Sequence, residues 1–337
     1  MECFMDVYWG KNFWYDGTEG APLNKIPVYE TAAGAPLAWG NKNLYIPAIY
    51  VGQEGVVLDL CMRVPLSDIS AFMDKWKDRD YENMSDEEVE QAESESPYSV
   101  DFNIVLALDG VRVKTTFGCS TVWNPLMMGT EPEAEALMDA YECSREYGWV
   151  FRRNCFDWEG SAVLSPEKLE CVLVPEKRPV TAAHFVTDVS DRKGQERKVQ
   201  LIHPLSGDTY TLTVRSCEAG QYEGDWGDIG EDLEYPSFYQ AITYTVEPDI
   251  SAEDLTVQDC AKGDQPRRKG AGSKEAGSSV LASSVALVPM YAVEDGEEPK
   301  VRCACSSLWF GPVDRAEWRA VFHIKKEKDF HIQAEIG

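Results

Sequence analysis

Apolar and polar residues alternate along much of the chain, most clearly on either side of Asp109-Gly110. An Asp-Gly pair between two alternating runs is typical of a β-hairpin with a two-residue turn. The register set by that turn places five mostly apolar pairs on one face: Leu108/Val111, Leu106/Val113, Ile104/Thr115, Phe102/Phe117 and Val100/Cys119. Because turn chemistry and hydrophobic register agree, the pattern predicts a hairpin here.

A similar pattern surrounds Gly207-Asp208. A two-residue turn at this position predicts three apolar pairs on one face: Leu205/Tyr210, His203/Leu212 and Leu201/Val214. Pro204 has no N–H to donate to a strand ladder, and this favours an edge strand or a bulge. The pattern therefore predicts a second hairpin, at the margin of a sheet.

Three segments carry helical signals instead. Ser67 is a candidate cap for a short helix whose apolar residues recur at helical spacing, namely Ile69, Phe72, Met73 and Trp76. Thr130 and Glu133 form a capping box ahead of a second apolar stripe, made of Ala134, Leu137, Met138 and Tyr141. Ser85 and Glu88 form another capping box, but the residues after it have no apolar stripe. That third segment is predicted to be a solvated helix or a loose loop.

The helical patterns cluster before residue 150, while strand patterns dominate after it. Gly, Ser and Pro interrupt the pattern between residues 158 and 167, which marks a domain boundary. We therefore expect a β-rich α+β protein with antiparallel sheets and two or three helices, mainly in the N-terminal half. The predicted domains are an α+β domain over 1–160 and a sandwich-like, mostly antiparallel domain over 161–337. Residues 262–279, rich in Gly, Ser, Lys and Arg, are predicted to form an exposed loop of the second domain.

Charge narrows the choice of partner. The 337 residues include 58 Asp and Glu against 32 Lys and Arg, which gives a formal net charge of −26. Such a surface repels phosphate backbones and anionic membranes, so neither nucleic acid nor a membrane is an expected partner. Two readings stay open: the charge serves solubility alone, or it steers a basic protein partner inward.

Cysteine placement and the N-terminus bear on the compartment. Cys61, Cys119 and Cys171 each lie in an apolar, strand-like run, as buried reduced thiols do. The first ten residues have no basic leader followed by an apolar run, and no stretch approaches the ~20 apolar residues that span a bilayer. The sequence therefore predicts a cytoplasmic protein with reduced cysteines.

The sequence contains no Walker phosphate loop, no G-x-G-x-x-G, no H-E-x-x-H and no G-x-S-x-G. The strongest local candidate for a site is the Gly-rich acidic segment 222–236. Its carboxylates lack the spacing of a calcium loop, but paired carboxylates beside aromatic rings also suit a glycan. The candidate binding residues are Tyr222, Asp225, Trp226, Asp228, Glu231 and Asp232, and the alternative is a plain acidic surface loop.

The other reactive side chains give no local motif. Cys303 and Cys305 are predicted to share an inward strand face with Val301, Ser307 and Trp309. None of the four histidines lies at metal-ligand spacing from a cysteine, so a Cys/His pair would have to be assembled by long-range folding. No metal and no cofactor are expected. The basic run Arg267-Arg268-Lys269 is expected to meet the protein's own acidic surface or a second copy.

These observations favour a non-enzymatic, cytosolic binding or interaction protein that engages a basic protein partner. One alternative is a glycan-binding or glycan-hydrolysing protein that uses the carboxylates of 222–236. Another is a structural subunit that self-associates through edge strands.

Overall fold

The computed structural model describes residues 6–13, 21–28, 36–80, 83–99, 101–127, 131–190, 196–223, 233–269 and 300–336. The chain forms two compact units. The first comprises Met1–Arg79, Ala92–Glu176 and Glu327–Gly337, and the second comprises Asp80–Gln91 and Lys177–Lys326. The interval 158–167 therefore lies inside the first unit. Independent folding of 1–160 and 161–337 stays a prediction.

The elements follow one another along the chain as strands with three helices between them. Up to residue 175 they are β1 Asn24–Pro27, β2 Leu37–Trp39, β3 Lys42–Val51, β4 Gly55–Val64, α1 Leu66–Trp76, α2 Asp86–Glu95, β5 Phe102–Leu108, β6 Val111–Trp123, α3 Pro132–Ala140, β7 Gly148–Trp158 and β8 Lys168–Pro175. The remaining strands are β9 Arg178–Asp188, β10 Arg197–Ile202, β11 Thr209–Gln221, β12 Leu233–Glu234, β13 Phe238–Glu247, β14 Leu255–Asp259, β15 Arg267–Arg268, β16 Arg302–Cys305, β17 Arg315–Ile324 and β18 Phe330–Glu335.

The first unit is built on a nine-stranded sheet in the order β1-β3-β4-β7-β6-β5-β8-β18, with β2 pairing β3. Its inner strands β3 and β4 are buried along nearly their whole length, as expected for near-continuous apolar runs. One face of these strands packs into the main core with Ile69 of α1. The other face packs Tyr45 and Cys61 against Leu137 and Met138 of α3. Asp59 lies on the same side of β4 as Cys61 and is buried.

The hairpin predicted at Asp109-Gly110 is confirmed. β5 and β6 pair antiparallel, and both turn residues have positive φ, as a type I′ turn requires. The three pairs next to the turn are Leu106/Val113, Ala107/Arg112 and Leu108/Val111. The predicted pairs Ile104/Thr115 and Phe102/Phe117 do not form, and the pairing of β6 with β7 has a register shift between Thr115 and Phe117. The predicted Val100/Cys119 pair involves Val100, which lies outside the described residues.

The second hairpin forms with a different register. β10 and β11 pair Leu201 with Tyr210, Val199 with Leu212 and Arg197 with Val214. The predicted pairs are therefore wrong, namely Leu205/Tyr210, His203/Leu212 and Leu201/Val214. Residues 203–208 instead form a longer loop, in which the His203 ring nitrogen accepts from the N–H groups of Leu205 and Ser206. Pro204 explains the slip, because it cannot extend the ladder. The shift is four residues, an even number, so Leu201 and Leu212 stay buried.

The helix caps differ in how they follow the sequence. The capping box of Ser85 and Glu88 forms with both reciprocal bonds, at 2.9 and 3.2 Å, and α2 follows it. The cap predicted at Ser67 is wrong, because Pro65 occupies the N-cap position of α1. Glu131 is the N-cap of α3 and makes no side-chain capping bond, while the predicted cap Thr130 lies outside the described residues.

The second unit contains a four-stranded sheet β10-β11-β13-β16, a three-stranded sheet β14-β17-β9 and the short pair β12-β15. The two larger sheets contribute to one core, in which Leu212 and Ile242 lie with Trp318 and Phe322. The predicted inward face of Cys303 and Cys305 is wrong. β16 places Ala304 opposite the buried Ile242, so both thiols turn to the other, half-buried face.

The protein is thus a β-rich α+β protein with three helices among its described residues, and all of the strand pairs described are antiparallel. This part of the sequence-based expectation is confirmed. None of the helices in the described part of the chain is long and apolar enough to cross a lipid bilayer.

Candidate functional site

The acidic segment predicted as a binding site is described only at its margins. Tyr222 is half-buried, and its backbone N–H donates to the carbonyl of Ser237 at 2.7 Å. The other five candidates lie outside the described residues: Asp225, Trp226, Asp228, Glu231 and Asp232. Their role in binding a glycan or a partner stays a prediction.

The basic run next to this segment meets the protein's own acidic surface. β12 pairs with β15, and the Arg267 guanidinium donates to a Glu234 carboxylate oxygen at 2.9 Å. This hydrogen bond lowers the pKa of Glu234. The guanidinium also lies 3.8 Å from the ring centroid of Phe310. The expectation that this run pairs within the chain is confirmed for Arg267.

A buried polar cluster lies in the first unit, on the face of the sheet that α3 covers. β4 places Asp59 directly opposite Arg153 of β7. The guanidinium donates to both carboxylate oxygens of Asp59, at 2.8 and 2.6 Å, and only 2–3% of either side chain is exposed. The bidentate geometry supplies two charge-assisted bonds to a pair of ions removed from water.

Two tyrosines complete this Asp59 cluster, which we define as Asp59, Arg153, Tyr141 and Tyr50. The Tyr141 hydroxyl donates to Asp59 at 2.5 Å and lies 2.9 Å from the Tyr50 hydroxyl. Burial, with the nearby carboxylate of Asp59, raises the pKa of both phenols. The ring of Phe13 covers the guanidinium at 4.5 Å. Every member is hydrogen-bonded to another, which is the arrangement of a structural network.

A second cluster forms in the second unit on the sheet β14-β17-β9. Glu317 of β17 lies opposite Val186 of β9, and His184 is two residues along β9 on the same face. The N–H of Cys260, just past β14, donates to the Glu317 carbonyl at 2.9 Å. The pairing thus brings three side chains together on the face opposite the buried Trp318.

The side-chain atoms of this group converge. The Cys260 Sγ lies 3.6 Å from His184 Nδ1, and a Glu317 carboxylate oxygen lies 3.8 Å from the same nitrogen. One ligand atom from each of the three residues lies within 4.8 Å of the other two. On the far side of the ring, His184 Nε2 lies 3.1 Å from a Glu87 carboxylate oxygen. We define the His184 cluster as His184, Cys260, Glu317 and Glu87.

A neighbouring ion pair fixes the segment that carries Glu87. Arg319, opposite His184 on β17, donates to both carboxylate oxygens of Glu90 at 2.6 and 2.7 Å. It also donates to the side-chain oxygen of Gln258 at 2.7 Å, and its side chain is only 4% exposed. Because Glu87 and Glu90 are three residues apart on α2, the ion pair holds Glu87 over the same face.

The order thiol, imidazole, carboxylate is also that of an activated cysteine nucleophile, in which a base and an orienting group assist the thiol. The surroundings of Cys260 oppose this role. Burial, followed by the charges of Glu317 and Asp259, raises the pKa of Cys260 to about 11. A reactive thiolate needs positive neighbours that lower its pKa. The cluster therefore presents ligand atoms rather than a nucleophile that is charged at neutral pH.

No pattern in the sequence singles out this cluster. Its four residues are spread over more than 200 positions, and no two of them have metal-ligand spacing. Only the pairing register of three strands, together with the helix start at Ser85, brings them together. The sequence feature that could have drawn attention to the cluster is Cys260. This cysteine directly follows a strand that has polar residues on its solvent-facing side.

Comparisons of the chain with known protein families, curated proteins and solved structures found no match.

Proposed function

We propose that the protein acts by binding, as an acidic cytosolic module that recruits a basic protein partner through carboxylates on and just after α3. The observation that carries the proposal is the excess of acids. If each of the 32 Lys and Arg residues paired with one of the 58 Asp and Glu residues, 58 − 32 = 26 carboxylates would have no cationic side chain. Internal ion pairs cannot reduce this excess, because each pair uses one positive and one negative charge.

The two acidic helices use their carboxylates differently. On α2 several carboxylates contact groups of the protein itself: Glu87 with His184, Glu90 with Arg319 and Glu95 with Lys75. Residues 131–146, on and after α3, contain six acids and one basic residue, Arg145. Arg145 reaches Glu135 at 2.8 Å and Asp139 at 3.1 Å. One cation against six acids leaves this segment with an excess of negative charge, which favours it as the contact surface.

The geometry of α3 supports the same proposal. Its inner side is buried through Ala134, Leu137 and Met138, which orients the polar side outward. Asp139, Glu142 and Glu146 are exposed, so they can meet a cation without leaving water completely. A negative surface of this kind raises the association rate of a basic partner and makes binding sensitive to salt.

Two features of the second unit and of the cysteines fit a binding module. We propose that the two larger sheets of the second unit pack as a sandwich, since both supply residues to one core. No disulfide joins the nine described cysteines, which supports a reducing compartment. No described contact favours the glycan alternative, because five of its six residues lie outside the described part of the chain.

The test compares two triple variants of equal charge. One carries Asp139→Asn, Glu142→Gln and Glu146→Gln, and the matched control carries Asp68→Asn, Asp74→Asn and Asp78→Asn around α1. The probe is a fluorescent oligolysine peptide, followed by anisotropy at low salt. Three lost exposed contacts predict about tenfold weaker binding for the α3 variant. The control should change little.

Salt dependence tests whether binding of the peptide is electrostatic. At about 0.5 M salt the Debye length is about 4 Å, so the wild-type complex should weaken strongly. Equal losses in the two triple variants would exclude α3 as the contact surface. An oligolysine peptide that fails to bind wild-type protein at low salt would remove the proposed function altogether.

A further inference from the structure

We propose that His184, Cys260 and Glu317 form a zinc site of the second unit, with the Glu87 carboxylate orienting the imidazole. The proposal rests on the convergence of three different ligand types, two from paired strands and one from the residue that follows a third strand, and it is independent of the basic partner. All four residues belong to the second unit.

The distances fit tetrahedral zinc. Zinc–sulfur bonds of about 2.3 Å and zinc–nitrogen or zinc–oxygen bonds of about 2.0 Å separate a sulfur from a nitrogen by about 3.5 Å, and a nitrogen from an oxygen by about 3.3 Å. Cys260 Sγ lies 3.6 Å from His184 Nδ1, and the Glu317 oxygen lies 3.8 Å from the same atom. The third pair, Cys260 Sγ and the Glu317 oxygen, lies within 4.8 Å, and rotation of the exposed Glu317 side chain can bring this oxygen closer to both other ligands.

The hydrogen bond on the far side of the ring selects the ligating nitrogen. With the carboxylate of Glu87 at 3.1 Å, the imidazole carries its proton on Nε2 and donates it to that oxygen. Nδ1 is then the nitrogen with a free lone pair, and it is also the one that faces Cys260 and Glu317. A carboxylate that accepts from the second nitrogen is the usual outer partner of a zinc-bound histidine.

The donor set favours zinc over the hard cations. Thiolate and imidazole bind borderline and soft metals, whereas calcium and magnesium take oxygen ligands. Binding displaces the thiol proton, and the resulting thiolate and carboxylate together balance the charge of a divalent ion. The side chains of His184 and Glu317 are 44% and 60% exposed, so a water molecule can reach the fourth position.

The scaffold holds the ligands in place before metal arrives. His184 and Glu317 lie on neighbouring paired strands, and Cys260 is held to β17 by its backbone hydrogen bond. The ion pair of Arg319 with Glu90 fixes the helical turn that carries Glu87. Ligands on strands that are already paired lose little conformational freedom on binding.

The test is a cobalt(II) titration of the reduced, metal-free full chain, because cobalt occupies zinc sites and reports on its ligands. One equivalent should produce a thiolate-to-cobalt charge-transfer band in the near ultraviolet, and zinc should displace it. Cys260→Ser should abolish the band, while His184→Ala and Glu317→Gln should each weaken zinc binding more than hundredfold. Glu87→Gln should keep the band but weaken binding about 10- to 100-fold, as expected for an outer partner.

A second thiol site supplies the matched control. Cys303 and Cys305 form the closest pair of cysteines in sequence, so Cys303→Ser tests whether that pair binds the metal instead. It should leave both the band and the affinity unchanged. A band that survives Cys260→Ser, a band lost in Cys303→Ser, or tight binding without a thiolate band would each overturn the proposal. Circular dichroism of every variant identifies any loss caused by misfolding.

Discussion

The Asp59 cluster and the His184 cluster both contain carboxylates, but the two differ in burial and in the balance of charge. In the first unit Asp59 meets a guanidinium and a phenol, both buried, and each of the four side chains is hydrogen-bonded to another member of the cluster. In the second unit the carboxylates of Glu87 and Glu317 converge on His184 from two sides of one ring, in contact with solvent. The charge of the Asp59 cluster is balanced by its own members. The His184 cluster has carboxylates and a thiol, and its only basic member is an imidazole.

The difference indicates how structural polar groups can be separated from candidate binding groups by their geometry. Perturbed pKa values occur in both clusters, since Tyr50 and Tyr141 are shifted as Cys260 is. A shifted pKa alone therefore does not mark a site. Two further features do so here: access for a ligand from solvent, and several donor atoms that point at one position without a cation among them.

The largest effect on stability is expected from breaking the buried ion pair of Asp59 and Arg153. Asp59→Ala leaves the Arg153 charge buried without its partner, and this should lower the free energy of unfolding by about 3–5 kcal/mol. Urea unfolding followed by tryptophan fluorescence measures the change. The matched control, Asp74→Ala, removes an exposed partner of Lys77 and should cost under about 1 kcal/mol.

A double variant separates two causes of the lost stability: the missing attraction between Asp59 and Arg153, and the buried Arg153 charge left without a partner. Replacing both ions, with Asp59→Leu and Arg153→Met, should recover most of the stability lost in Asp59→Ala, because no uncompensated charge remains. If Asp59→Ala lowers the free energy of unfolding no more than Asp74→Ala does, water reaches Arg153. The Asp59 cluster and the His184 cluster would then not differ in their access to solvent.

A smaller loss of stability is expected at alkaline pH from the ionisation of Cys61, which lies near the Asp59 cluster. Burial, then the neighbouring Cys143 and the charge of Asp59, raise the pKa of Cys61 well above its ordinary value. A folded-state pKa above the unfolded value of about 8.5 means that stability is complete below that pH and falls as pH rises beyond it. One such thiol contributes a slope of about 1.4 kcal/mol per pH unit.

The measurement is the free energy of unfolding from pH 7 to 10.5 in wild type and in Cys61→Ala. The variant should show a flatter alkaline decline, while the two curves run parallel below pH 8. Parallel curves over the whole range would show that Cys61 ionises as easily in the folded protein as in the unfolded one.

The features that were predictable are those whose cause is local in sequence. Asp109-Gly110 fixes a turn and the alternation beside it fixes a face, so the hairpin followed from eight residues. The capping box of Ser85 and Glu88 also depends on four consecutive positions. The register at Gly207-Asp208 failed because Pro204 weakens the ladder, and a longer loop with its own hydrogen bonds replaced the short turn.

The two clusters were not predictable in the same way. Asp59 interrupts the apolar run of β4, and Arg153 lies in a polar stretch between the apolar residues Phe151 and Cys155 of β7. A charged residue at a buried strand position implies a buried partner, so this pair could have been suspected. The His184 cluster has no such mark, because His184 and Glu317 are polar residues at exposed positions. Its existence depends on which residues face each other across β9, β17 and the end of β14.

The smallest effect on stability is expected in the His184 cluster. Glu317→Gln removes one of two carboxylates beside a solvent-exposed imidazole and leaves no buried charge, so the metal-free protein should change by at most about 0.5 kcal/mol. In the presence of zinc, Glu317→Gln should instead have a large effect on stability. Wild type at a hundredfold excess over its dissociation constant gains about 2.7 kcal/mol, and the variant at the same zinc concentration gains far less. Thermal unfolding with and without zinc measures both. A metal-free loss as large as that of Asp59→Ala would mean that Glu317 serves the fold, and the two clusters would then differ in exposure alone.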